Sequence, residues 1–171
     1  LSSGAYSIEL ILRDRTSGKM TARKVNLILP ESNVEFSTSA VVLSRIALRA
    51  AGSGDVLSKD GAQVRPSPSR EFRATDNLIV FFELYNAATS AETGKPLVRI
   101  TVTLMKDNKP VTKPMDYVLT EMVAERATHL TFSKYLSLAG LPAGKYIALI
   151  EARDLVGRKV VKQQEPFVIT Q

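Results

Sequence analysis

Apolar residues along this chain recur at every second position rather than at helical spacing, which predicts strands almost throughout. In residues 5–13, Tyr6, Ile8, Leu10 and Leu12 fall on one face, with Ser7, Glu9 and Arg13 on the other. Residues 20–29 repeat the pattern with Val25, Leu27 and Leu29, and Pro30, which cannot donate to a ladder, ends the run. Residues 77–85 form the strongest strand. Leu78, Val80, Phe82 and Leu84 line one face, and Ile79, Phe81 and Tyr85 the other. Such a strand is central, with one face in a core and the other partly covered. Residues 97–105 alternate again. Lys106-Asp107-Asn108-Lys109 then makes a tight turn, because Asp and Asn tolerate the left-handed conformation.

Shorter strands are predicted at 40–47, where the Ala-Leu-Arg content also permits a short helix, and at 128–132. Another at 110–118 is broken by Pro110 and Pro114 and so belongs at an edge. A hairpin at 145–153 and 159–170 closes the chain. Residues 31–39 are expected to be a linker and 120–126 one or two helical turns, with 135–144 a connector. Residues 51–69, with their Gly and Pro, are expected to be a long loop, and 86–96 a polar one whose removal leaves the fold intact.

The two ends of the chain repeat each other. Gly4, Tyr6, Arg13 and Asp14 return at matching positions as Gly144, Tyr146, Arg153 and Asp154, and each copy then carries a Gly followed by a base, Gly18-Lys19 and Gly157-Arg158. These residues have a structural role in a hairpin. Each Asp stands where a strand enters its turn and is expected to accept backbone N–H bonds. Each Tyr is expected to be a core or corner tyrosine with its hydroxyl on the backbone. About seven short strands with turn signals between them imply an all-β, immunoglobulin/fibronectin-like β-sandwich over residues 40–171. The repeat implies that residues 1–30 are the last hairpin of a preceding β-sandwich.

Composition narrows the chemistry. The 171 residues contain no cysteine, which excludes disulfide frameworks, zinc ribbons and thiol catalysis. No apolar run is long enough to span a membrane. The chain does not begin with Met and has no signal peptide; it is expected to be a fragment, so its destination stays open. The net charge of +6 comes from scattered bases, which argues against a nucleic-acid partner. Arg99, Lys106, Lys109 and Lys113 lie around one predicted turn and are the candidate interaction surface.

Catalytic patterns are missing. His129 is the lone histidine, and no Gly-x-Ser-x-Gly elbow accompanies it. Gly52-Ser53-Gly54 lacks the Gly-Lys-Ser/Thr ending of a phosphate loop. No cofactor or metal site is expected.

The Gly-x-Tyr hairpin with its Arg-Asp end resembles the C-terminal accessory region of bacterial proteins described as von Willebrand factor A-related, of the kind common in acidobacteria. Further segments fit: Phe36 to Ser44, Arg70-Glu71-Phe72 with Leu78 to Asn86, and Leu138 to Tyr146. The resemblance implies an exported parent, extracellular or periplasmic, that uses a metal-dependent adhesion site. That site needs Asp-x-Ser-x-Ser, which this sequence lacks; Asp55-Val56-Leu57-Ser58-Lys59-Asp60 has the wrong spacing. The expectation is therefore a non-catalytic structural or protein-interaction module, with a protein or a neighbouring domain as partner. Loops 51–69 and 86–96 are its expected contact loops. The alternative is a carbohydrate-binding or substrate-positioning accessory to an enzyme, which exposed coplanar aromatics would favour and which fails if Tyr85, Tyr117 and Tyr135 are all buried. Oligomeric state is left open.

Overall fold

A computed structural model describes residues 2–29, 35–49, 58–59, 62–121 and 129–171. The chain divides into two compact units, Leu1–Val34 and Glu35–Gln171. Among the described residues every regular element is a strand, so the protein is all-β.

The first unit is one antiparallel hairpin, β1 (Gly4–Arg13) and β2 (Met20–Leu29). Its register runs from Gly4 opposite Leu29 to Arg13 opposite Met20.

The second unit is a β-sandwich. In its larger sheet β10 (Val98–Lys106) pairs on one side with β11 (Lys109–Pro110) and β12 (Met115–Leu119), and on the other with β14 (Gly144–Asp154). Strand β14 pairs in turn with β15 (Lys159–Thr170), and β15 runs parallel to β8 (Glu71–Arg73). The facing sheet centres on β9 (Asn77–Tyr85), between β13 (His129–Ser137) and the two pieces β3 (Ser37–Thr38) and β4 (Val42–Ser44). Between those pieces Ser39, Ala40 and Val41 face only Phe82 and Glu83, the extra residue of a bulge. Ser39 repairs the ladder there: its N–H donates to the Glu83 carbonyl and its Oγ accepts the Glu83 N–H, at 2.9 and 3.0 Å.

Period two explains the packing. Leu78, Val80, Phe82 and Leu84 of β9 face Val98, Ile100, Val102 and Leu104 of β10 and Tyr146, Ala148, Ile150 and Ala152 of β14 in one buried cluster. Each fully buried large side chain contributes about 1.5–3 kcal/mol relative to exposure. The other face of β9 is covered as its apolar residues require: Ile79 and Phe81 bury against Val64.

That cover corrects the sequence expectation for residues 51–69. Within this stretch β6 (Ser58–Lys59) and β7 (Ala62–Arg65) form a small sheet with β5 (Ile46–Arg49). Val64 gains burial on Ile79 and Phe81, which offsets the entropy lost in ordering β7. The strand expected at 40–47 is divided: β4 belongs to one sheet and β5 to another, with the change at Arg45. Strand β13 runs on to Ser137 through the expected connector, because Leu136 and Leu138 are core residues. Residues 110–118 are two edge pieces, β11 and β12, as their prolines demand. The helical turns expected at 120–126 fall largely on residues outside those described.

Candidate interaction surface

The outward face of the larger sheet is a surface left for function, because the inner faces are consumed by the core and Val64 covers Ile79 and Phe81 on the other sheet. On the larger sheet the outward positions of β14 are Ile147, Leu149, Glu151 and Arg153, between buried neighbours. At one end the face is charged. Glu151 accepts from Lys162 at 2.8 Å and from Arg153 at 2.7 Å. Those bonds, Lys162 first, hold its carboxyl below the usual carboxylate range. Thr101 donates to Asp116 at 2.6 Å beside them.

At the other end the face is apolar and concave. A hollow of about 380 Å³ is lined by Met105, Ile147, Pro166 and Val168, with Arg70 and Lys145 among its polar residues. One wall is the turn between β10 and β11, where Asp107 and Asn108 take positive φ of 50° and 59°. Two successive left-handed residues make a primed hairpin turn, the role their residue types predicted. Arg70 is engaged by Glu165 at 2.8 Å across the parallel β8–β15 pair.

The candidate bases do not form one patch. Lys106 and Lys109 stand opposite each other at the β10–β11 turn, with Lys113 a few residues on. Arg99 lies opposite Arg153, roughly 20 Å back along β10. Lys106 is also committed inward: its Nζ donates to the Ala143 carbonyl at 3.2 Å and lies 5.2 Å from the centre of the Tyr146 ring. The exposed bases that line the hollow are Arg70 and Lys145, and Lys109 follows the turn that walls it.

The hairpin residues do what their repeat implied. Tyr6 donates to the Ser2 carbonyl and Tyr146 to the Pro142 carbonyl, both at 2.6 Å and both four residues back. Gly4 and Gly144 share a φ of 149°. Asp14 accepts from the Thr16 N–H at 2.8 Å and from the Ser17 hydroxyl. The Ser17 hydroxyl, then the Thr16 and Ser17 N–H groups, lower its pKa. Asp154 is buried and takes Val156 and Gly157 N–H groups on Oδ1 at 3.0 and 2.9 Å, and the Ala88 N–H on Oδ2 at 2.8 Å. Arg153 binds Glu151, while Arg13 is exposed.

Two expectations are corrected here. The strand registers match Gly18 with Arg158, both left-handed at φ 70° and 54°, and Lys19 with Lys159. Gly157 is therefore not the counterpart of Gly18. It is Gly because a Cβ there would stand 2.5 Å from Asp154 Oδ2 and 3.2 Å from Ala88 Cβ. The second correction concerns the 86–96 loop, which is built into the fold. Ala87 packs on the core, Ala88 binds Asp154, and Thr89 bridges Pro96. Removal of all of 86–96 is therefore expected to destabilise the sandwich, while the tip at 91–95 is exposed. No sequence signal tied Ala88 to Asp154, since the partners are far apart in the chain.

Of the three tyrosines whose joint burial would exclude a sugar-binding role, Tyr85 and Tyr117 are half-buried and Tyr135 is exposed. Tyr117 packs edge-on to Phe132 toward the core, and Tyr85 sits edge-on to His129 at 4.7 Å. Tyr135 is 61% exposed, at the far end of β13 from His129. Among the described residues there is no group of three His, Asp or Glu side chains placed to hold a metal, and no helix long and apolar enough to cross a membrane. Asp55 and Asp60 lie outside the described residues. No protein-family model matches the sequence, and no curated protein matches it either.

Proposed function

We propose that this chain is a non-catalytic structural and protein-interaction module, an immunoglobulin-like β-sandwich of an exported bacterial adhesion-type protein related to the von Willebrand factor A group. The observation that carries the binding role is the hollow on the outward face of the larger sheet. Met105, Ile147, Pro166 and Val168 give it an apolar floor, and Arg70 and Lys145 stand at its side. With Arg70 already paired to Glu165 and Asp107 in the opposite wall, Lys145 is the cation left to meet a partner, and the apolar floor suits a partner segment with an apolar anchor. Paired strands hold the floor in place, so the recess is formed before a partner arrives.

The test is a photo-crosslinking residue at Val168, with the same residue at Val118 as a control on the same sheet. Capture of one defined protein at position 168 alone, lost in an Ile147→Asp variant whose sandwich melts normally, is the expected result. Equal capture at both positions, or capture that Ile147→Asp leaves intact, rejects the hollow as the binding surface. Retention on heparin that falls with salt would point instead to a polyanion.

A further inference from the structure

Among the described residues of its own unit, nothing covers the apolar face of the first hairpin. Tyr6, Ile8, Leu10 and Leu12 of β1 share that face with Val25 and Leu27 of β2, as the register places them. Leu10 is 52% exposed and Leu12 69%. A two-stranded hairpin with such a face is marginal in water, so the face is made for a partner.

The chain itself shows which partner. Hairpin β14–β15 has the same strand pairing, residue for residue: Gly4 opposite Leu29 matches Gly144 opposite Ile169, and Tyr6 opposite Leu27 matches Tyr146 opposite Phe167. The corner tyrosine bond, the φ of the leading glycine and the left-handed turn position also match. In the second copy this face, through Tyr146, Ala148, Ile150 and Ala152, is buried on the inner face of an opposing sheet. An opposing sheet of that kind is what the first copy fits.

Volume argues against a sheet packed like the one opposite β14–β15. Ile8 and Leu12 stand where the second hairpin has Ala148 and Ala152, which are 0% and 1% exposed. Adding those side chains to a core already packed against alanine would force it apart. The fitting sheet therefore presents small side chains opposite Ile8 and Leu12. Chain order gives its place: β14 and β15 follow every other strand of their sandwich, so strands closed by β1–β2 precede it.

We propose that β1–β2 is the closing hairpin of a second β-sandwich, whose other strands lie ahead of it in the polypeptide and whose inner face is small-residue-rich opposite Ile8 and Leu12. The inference does not depend on the binding role given to the hollow. It is tested by amide hydrogen exchange on the chain extended by its upstream encoded residues, beside residues 1–171 alone. In the extended chain the amides of β1 and β2 exchange at least about a hundredfold more slowly, and Leu10→Asp abolishes that protection while β14–β15 is unaffected. Equal exchange in both chains, an upstream segment that is not a β-sandwich, or protection that survives Leu10→Asp overturns the proposal. So does protection in 1–171 alone that rises with protein concentration, which would make a second copy the cover.

Discussion

The hairpins β1–β2 and β14–β15 share a register, a corner tyrosine and a turn aspartate, yet one is exposed and the other lies in the core of a sandwich. Their turns show what this difference does. Asp14 is satisfied within its own turn, with the Ser17 hydroxyl as a partner. At the position matching Ser17 the second hairpin has Gly157. The missing side chain lets the Ala88 backbone reach Asp154 Oδ2. The same aspartate thus closes a local turn in one hairpin, and in the other ties the turn to a loop 66 residues away. A repeat in sequence fixes the hairpin; the substitutions within it fix how each copy is attached.

Mutations in matched pairs can break this contrast. The largest effect is expected in the core: Ile150→Ala costs the sandwich about 2–5 kcal/mol, whereas Leu10→Ala in residues 1–171 changes it by less than about 0.5 kcal/mol. Urea unfolding followed by far-ultraviolet circular dichroism measures both, and equal losses would erase the distinction. Next is the buried carboxylate. Asp154→Ala strands three N–H donors and is expected to cost about 3 kcal/mol, whereas Asp14→Ala, in an exposed turn, should cost much less. Gly157→Ala, which pushes on the same carboxylate, should cost about 1–3 kcal/mol; a neutral result would mean that Ala88 is not held there.

Smaller effects sharpen the comparison. Tyr146→Phe removes one hydroxyl bond from the sandwich and should lower its stability by about 1 kcal/mol in the same unfolding experiment. Arg158→Gly relieves a left-handed arginine and is expected to stabilise by up to about 1 kcal/mol, while Gly18→Arg has the opposite sign in its own hairpin. Thermal melts and hairpin amide exchange read the two; an unchanged or lowered melting point for Arg158→Gly contradicts the assignment. The acid response is smaller still. Glu151 titrates lower in the fold than in the unfolded chain, so its pairing with Lys162 and Arg153 stabilises fully above the ordinary carboxylate range. That contribution is lost as pH falls through the lowered folded value. Glu151→Gln should therefore lower stability at neutral pH, where the pairing is complete, and flatten part of the acid limb, with little change below the lowered folded value.

Much of the architecture was legible because period two is a local signal. The core face of β9, the turn at Asp107-Asn108 and both corner tyrosines follow from residue type and spacing. Strand β7 was not legible: Gly and Pro dominate its surroundings, and its stabilisation comes from Ile79 and Phe81, which are distant in sequence. The spacing of the candidate bases was hidden in a similar way. Proximity along the chain grouped Arg99 with Lys106, while an extended strand holds them apart. The hollow left no sequence signature, since Met105, Ile147, Pro166 and Val168 come from different strands and meet only through pairing.

By itself, then, the sequence determined strand type, the two-faced burial of β9, the repeated hairpin and the absence of thiol chemistry. Each of these depends on side chains a few residues apart. Tertiary structure alone decided that Asp154 holds the 86–96 loop, that Lys106 turns inward to Tyr146, and that an apolar recess opens on the larger sheet. Those outcomes depend on sheet register and on which layers face each other, and register is set by the packing of the whole core rather than by any one segment.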